Sequence, residues 1–189
     1  YAAILRSSVA HGRIVSIGLR EALRRPGVLD AFTAAEIAAD IPAIPIRMAR
    51  TKGEEAFRQP VIASEKVRFV GEPLAVVVAQ SRHEAEDALE AIDVNIEQLA
   101  AVTDPELRGD PVLFEGHPDN LCASYVVQIG DPSAAFAGAE YVRTERFHVH
   151  RHTAMPLEPR GLVAAWQEGG VRVWGAAKVP YFNRRQLAA

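Results

Sequence analysis

His148, His150 and His152 occupy alternate positions, so on a strand their imidazoles would share one face. Two imidazoles at that spacing can hold a metal ion, with Glu158 or a distant residue as a further ligand. The same triplet serves equally well as the polar face of a sheet, since strand alternation groups such residues without any ligand. Arg151, between them, faces the other way. Glu115, His117 and Asp131 include an acid and a base, but they stand in connecting segments, where solvated loop residues are the expectation. Cys122 is the only cysteine. Alone it reads as a small core hydrophobe rather than a nucleophile, and it excludes an internal disulfide or a cysteine-rich metal site. Gly71-Glu72-Pro73 lacks the repeated glycines of a phosphate loop. There is no Gly-x-Ser-x-Gly elbow, P-loop or dinucleotide fingerprint. Spacing alone therefore names no reaction.

The elements that must position these residues are built around Arg68 to Val102. Leu74 to Val78 is an unbroken apolar run, suited to a buried strand, and Pro73 fits a strand's first residues. Ser81 is placed as a helix N-cap, with Glu84 at the capping-box position. Ala85, Ala88, Leu89 and Ile92 recur at helical spacing and mark the buried face. Val94 and Ile96 then alternate with Asn95 and Glu97 as a second strand. Upstream, Ala2–Leu5, Arg13–Ile17 and Val28–Phe32 read as strands, and Ser7–His11 as a polar turn. A short helix at Leu19–Arg24 ends at Pro26-Gly27. Thr33 and Glu36 cap a helix over Ala34–Ala39. Asp40 to Pro60 is a long loop carrying Arg47, Arg50, Lys52 and Arg58. Val61 and Ile62 are expected to begin a strand.

Downstream, Asp104–Asn120 is a proline- and glycine-bearing connector. Leu121–Gln128 and Tyr141–His152 read as strands, the second a long one. Asp131-Pro132 opens a short helix with Ala135, Phe136 and Ala139 on one side. Gly161–Trp166 and Val171–Gly175 form a hairpin about Glu168-Gly169-Gly170, and Tyr181–Ala189 is a helix.

Of 189 residues, 49% are hydrophobic and 24% charged, and the net charge is −3. These are the values of an ordinary globular chain. They give no bulk-charge basis for nucleic-acid or membrane-surface binding, and no apolar run approaches the ~20 residues of a membrane span. The single cysteine fits a reducing compartment. A cytoplasmic location is the expectation, with export left open. The chain begins at Tyr1 in an apolar run and stops in a helical one, which suggests a piece of a longer polypeptide.

Six stretches go further when taken together: ILRSSVAHGRI (Ile4–Ile14), RRPGVLDAFTAAEI (Arg24–Ile37), VRFVGEPLAVVVAQSRHEAEDA (Val67–Ala88), GDPSAAFAGAEYV (Gly130–Val142), HTAMPLEPRGLVAAW (His152–Trp166) and RVWGAAKVPYFNRRQLA (Arg172–Ala188). In this order they resemble the large, molybdenum-cofactor-binding subunit of the xanthine dehydrogenase, aldehyde oxidase and aerobic carbon monoxide dehydrogenase family.

The resemblance implies an α+β chain. An α/β hammerhead domain occupies residues 1–102, a connector 103–120, and the start of the first molybdopterin-binding domain 121–189. It implies a molybdenum-molybdopterin cofactor, with iron–sulfur clusters and FAD on partner domains or subunits. The remainder of the large subunit and a small-molecule substrate complete the partners; nucleic acid and a membrane span are not among them. The implied reaction inserts water-derived oxygen into an aldehyde or heterocycle, or oxidises carbon monoxide. No protein histidine holds the metal in this family.

Many members carry a Thr-Gln pair after the Trp-Gly strand end, and its glutamine hydrogen-bonds an oxygen ligand of the molybdenum. Ala177-Lys178 stands there in this chain. Lys178 is the cofactor-binding candidate, and its ammonium can donate hydrogen bonds but not accept them. A surface lysine is the plainer reading. Phe57, on the loop that reaches toward the substrate funnel in the family, is a pocket candidate beside local packing. Tyr181 and Phe182 are pocket candidates beside core packing of their helix. His152 and Glu158 are expected to be structural, in a buried ion pair or hydrogen bond. The family's general-base glutamate and glycine-rich segment have no counterpart in these residues, so no catalytic residue is assigned and the isolated chain is expected to be inactive. Two other classes compete: a stand-alone, non-catalytic scaffold using exposed strand edges, and a histidine-based metal-binding protein.

Overall fold

The computed structural model describes residues 1–37, 39, 41–45, 54–150, 152–153 and 155–188. They form two units, Tyr1–Val126 and Val127–Ala189. In the first, strands β1 (Ala2–Arg6), β2 (Gly12–Gly18), β3 (Val28–Thr33), β4 (Lys66–Val67), β5 (Pro73–Ala79) and β6 (Asp93–Gln98) alternate with helices α1 (Arg20–Leu23), α2 (Ala34–Ile37) and α3 (Arg82–Leu89). A single 3-10 turn spans Glu54–Phe57. The chain is α+β, and every strand pair described is antiparallel.

Two three-stranded sheets result, ordered β1-β5-β3 and β4-β2-β6. The strand–helix–strand unit thus crosses from one sheet to the other. Its composition explains the split. β5 is apolar on both faces, with Leu74, Ala75, Val77 and Ala79 buried, and it takes the central position between two partners. β6 alternates exposed Asp93, Asn95 and Glu97 with half-buried Val94 and Ile96, as a strand with one wet face does. α3 lies against β1 and β5 through Ala85 and Ala88, whose small side chains permit a close approach.

One core cluster gathers Ala22, Ala31, Ala75, Val77, Ala88 and Ile92. A second gathers Ala63, Val67 and Leu74. Leu5, Ile17 and Val94 pack against both and join the two sheets.

Strict alternation cannot place Ile14 and Ile17 on one face, because they are three residues apart. The β2–β6 register shifts between Ile14 and Ser16, so exposed Val15 is the extra residue of a bulge. Both isoleucines consequently turn inward.

The capping box at α3 forms as the sequence indicates. Ser81 Oγ accepts from the Glu84 amide at 3.2 Å, and Glu84 Oε2 accepts from the Ser81 amide at 2.8 Å. At α2, which in the described residues runs only Ala34–Ile37, Glu36 Oε2 likewise accepts from the Thr33 amide, but Thr33 Oγ1 accepts from the Ala35 amide rather than that of Glu36. Val61 and Ile62 do not form a strand. Ile62 is buried at a bend, the Ala63 amide donates to the Pro73 carbonyl at 2.9 Å, and pairing begins only at Lys66. Arg47, Arg50 and Lys52 lie outside the described residues.

In the second unit, α4 (Pro132–Ala137) starts at Asp131, whose Oδ1 accepts from the Ala134 amide at 3.1 Å. Strands β7 (Leu162–Gln167) and β8 (Gly170–Gly175) form a hairpin, and α5 (Pro180–Leu187) follows. Glu168 and Gly169 have φ of 51° and 76°, the pair of positive values that a tight primed turn requires. Among the described residues the strands expected at Leu121–Gln128 and Tyr141–His152 do not form. Alternation specifies only which face each side chain takes, whereas a strand needs a neighbour for its ladder. β7–β8 is the only pair of strands in this unit among the described residues.

Candidate cofactor-binding site

Lys178 follows β8 on the short link to α5. The hairpin fixes the start of that link. A side chain at Gly175 would strike Leu162 and come within 2.6 Å of the Gly161 carbonyl, so the strand ends on a residue that lets its partner approach. Pro180 then occupies the first turn of α5, where its missing N–H costs nothing. Between them the exposed Lys178 is the sole ionisable side chain from Gly175 to Pro180. Its three N–H donors suit a ligand rich in acceptor atoms. Tyr181 and Phe182 stand edge to face, centroids 5.7 Å apart at 71°, and the Arg185 guanidinium lies 5.9 Å from the Tyr181 ring. Both aromatics are largely exposed rather than packed in a core.

Phe57 lies in the first unit, half-buried at the end of the 3-10 turn. Its ring meets Phe114 at 4.8 Å and His117 at 4.5 Å between centroids. The Arg68 guanidinium covers Phe114 at 4.6 Å, and Arg68 Nε donates to the Leu113 carbonyl at 3.1 Å. Lys66 Nζ donates to Glu115 Oε1 at 2.6 Å. That hydrogen bond and the Lys66 charge hold the Glu115 carboxyl below the usual carboxylate range. Glu115 and His117 are therefore not free loop residues. The signal available in the sequence was Val112-Leu113-Phe114, three consecutive apolar residues in a turn-rich stretch.

The remaining candidates do not converge on a site. His148 and His150 stand edge to face at 4.8 Å, and His152 Nδ1 is 3.4 Å from the His150 carbonyl, all without a strand to align them. Among the described residues no three His, Cys, Asp or Glu side chains are grouped to hold a metal. His152 and Glu158 are exposed, so the expected buried pair does not form. Cys122 is exposed too, not a core residue. Asp131 is occupied as a helix cap.

The first unit is a pair of small antiparallel sheets with short helices, and the second a hairpin followed by a helix. Residues 1–100 match the family described as aldehyde oxidase and xanthine dehydrogenase, a/b hammerhead domain, and residues 113–189 match the molybdopterin cofactor-binding domain. The chain belongs to the aldehyde oxidase and xanthine dehydrogenase family. It is 35% identical to the nicotine 6-hydroxylase large subunit of Paenarthrobacter nicotinovorans, across 100% of this chain and 23% of that one. It is 33% identical to the carbon monoxide dehydrogenase large chain of Afipia carboxidovorans, across 95% and 24%. The crystal structure of quinoline 2-oxidoreductase from Pseudomonas putida 86 superposes with a TM-score of 0.81 at 36% identity, covering 99% of this chain and 24% of that one. The chain thus spans about a quarter of the length of these relatives. No helix among the described residues is long and apolar enough to cross a membrane.

Proposed function

We propose that this chain is part of the molybdenum-cofactor-binding subunit of an oxidoreductase, with the hammerhead domain at 1–102, a connector at 103–120 and the opening of the first cofactor-binding domain at 121–189. The observation that carries this is the match of both domains, in order, across nearly the whole chain. When bound, molybdenum-molybdopterin would supply oxidation of an aldehyde, a heterocycle or carbon monoxide with oxygen from water. Electrons would leave through iron–sulfur clusters and FAD on partner domains or subunits.

The residues present fit such a group through donor chemistry. Lys178 carries an unburied ammonium with no competing carboxylate from Gly175 to Pro180. In this reading it donates hydrogen bonds to the cofactor's acceptor atoms and offsets their negative charge. Tyr181 and Phe182 form an aromatic wall one turn beyond it, and Phe57 contributes to the path of a small-molecule substrate. In this reading the general base stands on the remainder of the large subunit, so the chain alone does not turn over.

Metal and pterin analysis of the protein expressed from its whole reading frame, in a host that makes the cofactor, tests the proposal. Molybdenum with bound pterin near one per chain is the expected result. Its absence from folded protein overturns the enzyme reading and favours a non-catalytic scaffold; stoichiometric zinc or copper would instead favour the histidines.

A further inference from the structure

Residues 113–120 match the second domain's family, yet they pack within the first unit. This stretch is closed on itself by Asn120, held in the left-handed region at φ 54°. Asn120 Oδ1 accepts from the Leu113 amide at 2.9 Å, while Nδ2 donates to the carbonyls of Gly109 at 3.0 Å and Pro111 at 2.8 Å. One side chain thereby satisfies three backbone groups and fixes the shape of residues 109–120. The fixed loop presents Phe114 and His117 to the same ring, Phe57. Arg68 also holds the loop, through the Phe114 ring and the Leu113 carbonyl, and Lys66 pairs with Glu115. Both basic residues belong to or adjoin β4, so the loop is tied to a sheet as well as to the 3-10 turn.

We propose that this loop is a clasp that sets the position of the Phe57 turn, with Phe114 and His117 as positioning residues. The inference rests on the reading that Phe57 borders the substrate path. Among the described residues the ring contacts of Phe57 are with the clasp, whereas its own turn is a short 3-10 segment, too short to hold a side chain rigidly. Two tilted aromatic contacts fix both the place and the tilt of a ring. The clasp therefore acts on how well substrate is held, not on the chemical step.

The test uses the intact subunit and compares wild type with Phe114→Leu, His117→Ala and the aromatic-retaining His117→Phe. Amide hydrogen exchange is read over residues 54–58, and steady-state kinetics use whichever of nicotine, quinoline and benzaldehyde the wild type oxidises fastest. Phe114→Leu and His117→Ala are expected to raise exchange at 54–58 about fivefold and KM several-fold at unchanged kcat, the change that loss of one aromatic contact produces. His117→Phe restores both. Unchanged exchange overturns the clasp; if none of the three compounds is oxidised, exchange alone decides it. Raised exchange with unchanged KM, while Phe57→Ala does alter KM, overturns the positioning role. If Phe57→Ala also leaves KM unchanged, the failure lies in the reading of Phe57 as a substrate-path residue, and the positioning role falls with it. Should Phe114→Leu not fold, the His117 pair gives the same decision.

Discussion

Substituting Lys178 changes one charge in a link otherwise made of Gly, Ala, Val and Pro. Hydrogen bonds to charged groups contribute about 1.5–3 kcal/mol, so Lys178→Ala in the intact subunit is expected to lower turnover or molybdenum content roughly tenfold or more. Lys178→Gln, which keeps a donor, should lose less. Normal turnover with full cofactor content in the alanine variant would remove Lys178 from the site. Glu36 offers a pH-dependent test. Its carboxyl is held below the usual range by the Thr33 hydroxyl, at 2.6 Å, and then by the Thr33 amide, at 2.7 Å. Because the folded-state pKa is the lower one, the contribution is complete above the ordinary carboxylate pKa of about 4.3 and disappears as pH falls through the folded value. The difference in urea midpoint between wild type and Glu36→Gln should therefore shrink from neutral pH to below pH 4, and a constant difference would contradict it. Individual burial was the least legible property in the sequence. Cys122, His152 and Glu158 have plausible buried roles by type, but whether a residue is covered depends on what stands opposite, which its neighbours in sequence do not encode.

Elements with local causes were legible. Ser81 and Glu84 announce the start of α3 because both halves of the capping box lie within four residues. Ser81→Ala should cost about 1 kcal/mol, measured by denaturation. The Glu84 carboxylate also occupies the space where a side chain at Gly27 would go. Gly27, at φ 77°, is further required by its backbone conformation. Gly27→Ala should therefore be more destabilising than Ser81→Ala, and the two effects should not add, since both act through Glu84. A Gly27→Ala variant of wild-type stability would show that the turn is freer than its geometry implies. The β2 bulge was half-legible: inward isoleucines three apart demand an irregularity, but its position at Val15 is set by β6 across the sheet. The strands missing over 121–128 and 141–150 show the other limit, since their alternation is real and no partner strand pairs with them among the described residues.

At the scale of the whole molecule, the sequence indicated two parts and their order, while the division of β5 and β6 between two sheets was not legible. Pairing is a non-local choice that periodicity does not encode. The second unit leaves large apolar groups uncovered: Val127, Ile129 and Phe147 are 78%, 91% and 82% exposed. Apolar surface on this scale marks an interaction face. The 189-residue chain by itself should bind a hydrophobic dye strongly and self-associate as its concentration rises, and the intact subunit should do neither. A monodisperse, dye-silent fragment in sedimentation experiments would mean these groups find cover within the chain.

The pairing of β1 with β5 has a consequence in time. Ala2 lies opposite Val78, and Gly12 opposite Gln98, so β1 and β2 leave the ribosome well before the neighbours they pair with. At about 5–20 residues per second, β1 waits roughly 4–15 seconds for β5 to be made. Throughout that interval its ladder groups and the apolar residues of β2 are open to any other chain nearby. Synthesis thus exposes this domain for longer than its size would suggest, and the same long-range closure makes refolding from denaturant slow for a unit so small.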